Sequence, residues 1–388
     1  MTTDTLPDWL RFQTEHRAQR VAIRHKQLGI WHEQTWQAAH QAVVLAAQLL
    51  KQKGFTSGDT LFLLSEPRPE ALLLSLAAHW LGGVSAPLDP AHKQSELLDL
   101  LHTLRPRFVF AETQAQVDQV FAAKPDVQLL IFADARGLAD YHHPSMFAYS
   151  QIAAAFEQQT LPELAIKAAD YDIAFRFYRL SQHYQLEYRE ITHAELLKNG
   201  QTLVLHEALT DREEALAARA FAASGHARYL LSPWLLAGFK LNFPENLATR
   251  DTDRRELGPS LVAGTAATYQ RLYLLTQSRW PLQNSWQFVL LQWALKVYRK
   301  RVPLLSVIAL WLVIAPLKDV LGLSHTRVPL LVGEPLSAEA EQFFSAIGIQ
   351  VRGWPEETTW HTSQLLVIPP PDSSAETYFA LKGLRAAS

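Results

Sequence analysis

Apolar residues recur along this chain with two periods, and through the first third these alternate. Trp36 to Lys53 carries Val43, Ala46 and Leu50 on one helical face, with Thr35 as N-cap and Gly54 closing the helix. Gly58-Asp59 then turns into the short apolar run Leu61–Leu64, and a helix over Pro69–Leu81 ends at Gly82-Gly83. Val84–Leu88, Phe108–Ala111 and Gln128–Phe132 read as further strands, separated by helices over Ser95–Leu104 and Thr113–Ala123. Strand–helix–strand spacing of this kind predicts an α/β fold with largely parallel sheets covered by helices.

Ala139–Thr160 has little periodicity and includes His142-His143-Pro144, which suggests a link between two subdomains. The division expected is residues 1–165, residues 166–360 and a weakly structured tail over 361–388. In the second unit, Tyr184, Leu186 and Tyr188 alternate with Gln185, Glu187 and Arg189, the period-two pattern of a half-buried strand. With Ser181-Gln182-His183 as the turn, this predicts a β-hairpin of roughly Ile173–Leu180 and Tyr184–Ile191. Thr192 followed by Glu195 is a capping-box signature for the next helix. A helix is expected around Asp211–Ala223, a strand over Arg228–Leu231, a helix from Pro233-Trp234 to Gly238 and a strand over Lys240–Phe243. Trp286, Val289, Leu290, Trp293 and Val297 recur at helical spacing and are expected to face a packed core. Val302–Leu317 is the most apolar run. It falls short of the about 20 residues a spanning helix needs, so the expectation is a buried helix, with interfacial membrane contact as the sharper alternative.

Composition narrows the chemistry. Hydrophobic residues make up 48% and charged residues 19% of 388, as in a globular protein with a sizeable core, and the net charge of −2 offers no basic field to nucleic acid. There is no cysteine, which excludes disulfides, thiolate catalysis and zinc–cysteine sites. The N-terminus shows no basic-then-apolar signal pattern, so a cytoplasmic placement, with peripheral membrane contact as an option, is the expectation. Ser181 with His183, and Ser224-Gly225-His226, lie in no Gly-x-Ser-x-Gly elbow, and neither the His142-His143 pair nor His25 with His32 has zinc spacing. No Gly-x-Gly-x-x-Gly loop or Walker lysine is present, and the acidic runs near Asp211 and Asp251 read as solvated faces. No catalytic residue and no metal ligand is assigned.

The order of elements around Gly82-Gly83-Val-Ser-Ala-Pro-Leu-Asp-Pro90 resembles the N-terminal domain of the AMP-forming acyl-CoA synthetases, in particular bacterial long-chain fatty-acid members. Trp234–Glu245, Asp253–Pro259, Leu317–Leu323, Gly333–Ser337 and Phe343–Gly348 carry the likeness further, from about Leu6 to Thr359. Set against that family, Tyr178–His193 falls without a gap on its phosphate loop, Tyr-Thr-Ser-Gly-Thr-Thr-Gly-x-Pro-Lys-Gly, and on the Thr-His that follows. Tyr178, Thr192 and His193 are kept. The glycines are replaced by Ser181, Tyr184 and Tyr188, the hydroxyl residues by Arg179, Leu180, Gln182 and His183, and the lysine by Glu187. A triphosphate cradle needs close backbone N–H groups and a cation. Losing one charge-assisted hydrogen bond costs roughly 1.5–3 kcal/mol, and Glu187 adds like-charge repulsion.

Where the resemblance implies Pro-Arg-x-Trp-Glu, the chain has Ala266–Gln270. Where it implies Tyr-Gly-x-Thr-Glu, Pro355–Thr359 keeps only Thr358, as the nucleotide-site threonine, with Thr359 in place of the Mg-associated glutamate. The ribose-binding Asp motif and the small C-terminal domain with its lysine are expected to be missing. The resemblance therefore implies a catalytically inactive homologue acting as an acyl-binding or partner and regulatory module, without cofactor, whose partners are a fatty acyl ligand or an active acyl-CoA synthetase. Two alternatives stand beside it. One is a genuine long-chain fatty acid–CoA ligase using ATP, Mg and CoA with a lysine from another chain; the other is a peripheral membrane lipid-handling protein.

Overall fold

The computed structural model describes residues 4–89, 93–159, 161–219, 221–222, 224–300, 303–356 and 359–367. Its strands are β1 (Val21–Gln27), β2 (Ile30–Thr35), β3 (Thr60–Leu64), β4 (Val84–Leu88), β5 (Phe108–Ala111), β6 (Leu129–Phe132), β7 (Met146–Ala148), β8 (Ile173–Leu180), β9 (Leu186–Thr192), β10 (Glu214–Leu216), β11 (Lys240–Phe243), β12 (Leu261–Gly264), β13 (Val328–Val332), β14 (Arg352–Trp354) and β15 (His361–Thr362). They form an eight-stranded sheet, β15-β9-β8-β4-β3-β5-β6-β7, and a seven-stranded sheet, β14-β13-β12-β10-β11-β1-β2. Pairing is parallel except at β1–β2, β8–β9 and β9–β15. The α/β architecture with largely parallel, helix-covered sheets is thus as the periodicity predicts.

Alternation along the strands sorts the side chains into layers. Leu61 and Leu63 of β3 enter the main core, whereas Phe62 and Leu64 face the opposite way, into a second cluster with Leu97, Leu101, Val117 and Val120. In the other sheet Leu261 and Ala263 enter the main core, while Val262 joins Tyr269, Leu272 and Phe344 in a third cluster. The helices Trp36–Gln52, Pro69–Trp80, His193–His206 and Ser232–Ala237 lie between the sheets and contribute to the shared core. There Trp36 and Trp234, both fully buried, stack at 4.7 Å. The layers therefore run helix, sheet, helix, sheet, helix.

The sheets do not divide at residue 165. The β1–β2 hairpin joins the sheet built otherwise from residues beyond 213, and β8–β9 joins the sheet of the first third. β15, in the segment expected to be weakly structured, pairs with β9. Locally, several elements differ from the expectation, among them the stretch Ala139–Thr160, which holds β7 and a helix over Ile152–Phe156. Glu214–Leu216 is a strand and not part of a helix, because its backbone pairs with β11 and β12 on both sides. Arg228–Leu231 is helical and fully buried; a short apolar run has no period by which to tell buried helix from buried strand. Residues 303–317 of the apolar run are largely exposed, not core, whereas Val302 lies outside the described residues; of the face expected to be core, Val297 is buried but Trp286 and Val289 are exposed.

Candidate functional site

The hairpin β8–β9 is held by its cross-strand pairs. Arg176 lies opposite Glu190 and Arg179 opposite Glu187, and both pairs form ion pairs, at 2.6 and 2.7 Å. Phe175 and Phe177 point into the main core, and Tyr178, on the other face, stacks parallel to Phe62 at 6.1 Å. The tip is longer than a three-residue turn. Ser181 N–H donates to the Gln185 carbonyl at 2.9 Å, the Ser181 hydroxyl accepts from the N–H of His183 and of Gln185, and β9 begins at Leu186. Tyr184 therefore sits in the loop and not in the strand. It adopts φ +58°, a region that favours glycine. Its exposed ring reaches back so that the phenol donates to Asp99 of the helix Gln94–Leu104.

The base of the loop is closed from the far end of the chain. β15 places His361 opposite Tyr188, their rings 5.6 Å apart, and Thr362 opposite Glu187. Next to it, the Trp360 ring lies against two guanidinium groups, Arg179 at 4.2 Å and Arg189 at 4.4 Å. Arg189 is buried. It donates to the Ser224 hydroxyl at 2.9 Å, which donates in turn to Glu356 at 3.2 Å, and the Gly225 N–H also faces Glu356. The hairpin thus carries a closed network in which each cation has an anion or an aromatic face.

Thr192 accepts from the Glu195 N–H at 3.2 Å, the N-cap its sequence predicts. His193 is fully buried against His79, with the rings 5.0 Å apart, and its Nδ1 faces the Leu6 N–H. Burial holds the His193 imidazole well below its ordinary pKa and pushes His79 down to about 4, although a hydrogen bond to the Ala174 carbonyl pulls the latter upward. His226, next to Ser224, is likewise driven to about 4 by burial, with the Arg219 charge adding to the effect. Neither Ser181–His183 nor Ser224–His226 has nucleophile–base geometry: the first pair is a turn, and Ser224 is engaged with Arg189 and Glu356.

At the second landmark, Thr265 caps the helix Ala266–Gln277 and accepts from Arg219. Tyr269 is buried, donating to the Leu330 carbonyl at 3.1 Å, and Gln270 accepts from Ser337 at 3.1 Å. At the third, Thr358 lies outside the described residues, and Thr359 is exposed. Among the described residues no group of three or more His, Asp or Glu side chains is placed to hold a metal. Of the hairpin residues singled out from sequence, the structure brings Tyr178, Glu187 and Tyr188 to the strands and Ser181 and Tyr184 to the loop. The joining of Trp360, Arg189, Ser224 and Glu356 has no signal in the sequence, where Arg189 reads only as a polar strand position and Ser224 only as part of a Ser–His pair: they are separated by up to 171 positions, and a two-residue strand has no periodicity to read.

The two sheets, the helices between them and the hairpin at the end of the eight-stranded sheet define the α/β fold of the adenylation domains of adenylate-forming enzymes. Residues 10–170 match the AMP-binding enzyme family. The fold is similar to the A-PCP didomain of carboxylic acid reductase from Segniliparus rugosus (TM-score 0.70, 14% identity, covering 92% of this chain and 53% of that one). It is also similar to apo MatB from Rhodopseudomonas palustris (0.64, 18%, 94% and 62%), and to a structure assigned as a long-chain-fatty-acid CoA ligase from Rhodopseudomonas palustris CGA009 (0.61, 14%, 89% and 73%). The chain spans between 53 and 73% of the length of these proteins, and at these identities the likeness is one of fold. No curated protein matches it by sequence.

Proposed function

We propose that the chain is a non-catalytic relative of the acyl-CoA synthetases, acting as an acyl-binding or regulatory partner and not as an adenylating enzyme. The observation that carries this reading is the closed network at the hairpin. The position at which the resemblance implies a lysine holds Glu187, already paired with Arg179, and both Arg179 and Arg189 are committed to Trp360. An ATP polyphosphate does not fit these residues. It would need small side chains and free N–H groups along the loop, which Ser181, Tyr184 and Tyr188 do not leave, and a cation in place of a carboxylate. Retention of Thr192 and His193 is accounted for by capping and by core packing against His79, so it does not argue for nucleotide chemistry.

The reading predicts no ATP–pyrophosphate exchange by the purified chain with fatty acids of several lengths and magnesium. It also predicts none when Glu187→Lys is introduced alone, since the glycine positions remain filled. Exchange above the no-enzyme background that requires the fatty acid would sink it. A pull-down that recovers an intact synthetase, or a co-purifying fatty acid detected by mass spectrometry, distinguishes the regulatory from the acyl-binding form of the proposal.

A further inference from the structure

Between Glu256 and Asp319 the sequence has no acidic residue, yet it carries Arg271, Arg279, Lys296, Arg299, Lys300, Arg301 and Lys318, in a chain whose net charge is −2. The same segment exposes apolar surface. Trp286 is 73% and Val289 65% exposed on the helix Trp286–Lys300, and Leu304 (79%), Val307, Trp311 (76%) and Leu312 are exposed on the helical stretch that follows. The two helical segments are fastened to each other by Ala294, Val297 and Ala309, and Ser306 donates to the Val297 carbonyl at 3.3 Å, so the basic and apolar positions share one helical hairpin. On the first helix Lys296, Arg299 and Lys300 follow Trp286 and Val289 along the exposed stripe at three- and four-residue spacing. A groove of about 1100 Å³ separates this helix from Ala338–Ala346, where Glu339 is the one acid in its lining.

We propose that this helical hairpin docks the protein on an anionic bilayer surface. The combination of residues selects the occupant. Exposed apolar patches of this extent mark contact with either a protein or a membrane. The core of a protein interface is depleted of lysine, whereas a bilayer interface draws tryptophan to the headgroup level and lysine and arginine to anionic lipid. Trp286 and Trp311 with Lys296, Arg299 and Lys300 match the second pattern. The mode is interfacial, not spanning: among the described residues no helix is long and apolar enough to cross a membrane, and Leu305–Ala309 and the turns after it are short.

Flotation of the full chain with vesicles of phosphatidylcholine, with and without phosphatidylglycerol, at low and high salt, tests this. Binding is expected to require the anionic lipid and to weaken with salt. Trp311→Glu and Lys296→Glu with Lys300→Glu, all at exposed positions, are each expected to lower the floated fraction roughly tenfold with an unchanged melting temperature. Three outcomes overturn the proposal: no flotation on anionic vesicles at low salt, variants that float like the parent, or a concentration-dependent dimer that the same substitutions dissolve in the absence of vesicle binding.

Discussion

Trp360 is the side chain on which the hairpin's closure turns. Its ring accepts two cations, each contact of a kind worth about 0.5–2 kcal/mol when partly desolvated, and it fixes the segment that supplies β15. Trp360→Ala is expected to lower stability by about 2 kcal/mol in urea denaturation, and Trp360→Phe to recover most of it. Equal losses for the two variants would show that the ring's face is not what the arginines use. The substitutions along the loop are visible in the sequence, since Glu187, Tyr184 and Tyr188 stand where small residues and a lysine belong in the similar family. Their partners are not. Arg179 is eight residues from Glu187 and becomes its neighbour through the hairpin register, whereas Asp99 and Trp360 reach the loop through the tertiary fold.

Helices and strands followed their patterns wherever an element had a period and a stop signal. Trp36–Gln52, with its Thr35 cap, and the run of parallel strands β3 to β6 are cases in point. At the short apolar run Arg228–Leu231 pattern did not separate helix from strand, and at the two helical segments near Trp286 and Trp311 it did not separate buried from exposed. Close packing of the inner helices is equally invisible to pattern. Gly200 lies in the helix His193–His206 where an added Cβ would meet the Ser232 hydroxyl and come within 2.8 Å of Leu236 on the neighbouring helix. Alanine there gains about 1 kcal/mol of helix propensity but overpacks the contact, at a cost of about 1–3 kcal/mol. Gly200→Ala is therefore expected to melt lower than the parent; a higher melting temperature would place the helices farther apart than described.

Among the described residues His79, His193 and His226 are buried, and burial holds all three imidazoles below their ordinary pKa. All three bind a proton less readily when folded than when unfolded, so between about 6.5 and about 4 the unfolded state holds more protons and stability falls as pH falls. A site such as His79 contributes up to about 3 kcal/mol across that window. Carboxylates with lowered pKa, such as Glu70 and Asp251, act only nearer and below their ordinary range around 4. The urea midpoint is therefore expected to drop already between pH 6.5 and 5. A midpoint flat over that interval would mean that the histidines titrate normally.

Periodicity and turn residues, together with the residue types at one loop, were enough to give an α/β chain, its order of elements and a hairpin loop without glycine or lysine, because those properties are written in local spacing and in side-chain chemistry. Which sheet each strand joins, which arginines face Trp360 and which apolar faces stay open to solvent depend on contacts between residues far apart in sequence. Strand exchange across residue 165 and the outward face of the Trp286 and Trp311 helices are of that kind. A hydrophobic pattern records that a face is apolar; only the packed chain decides whether something covers it.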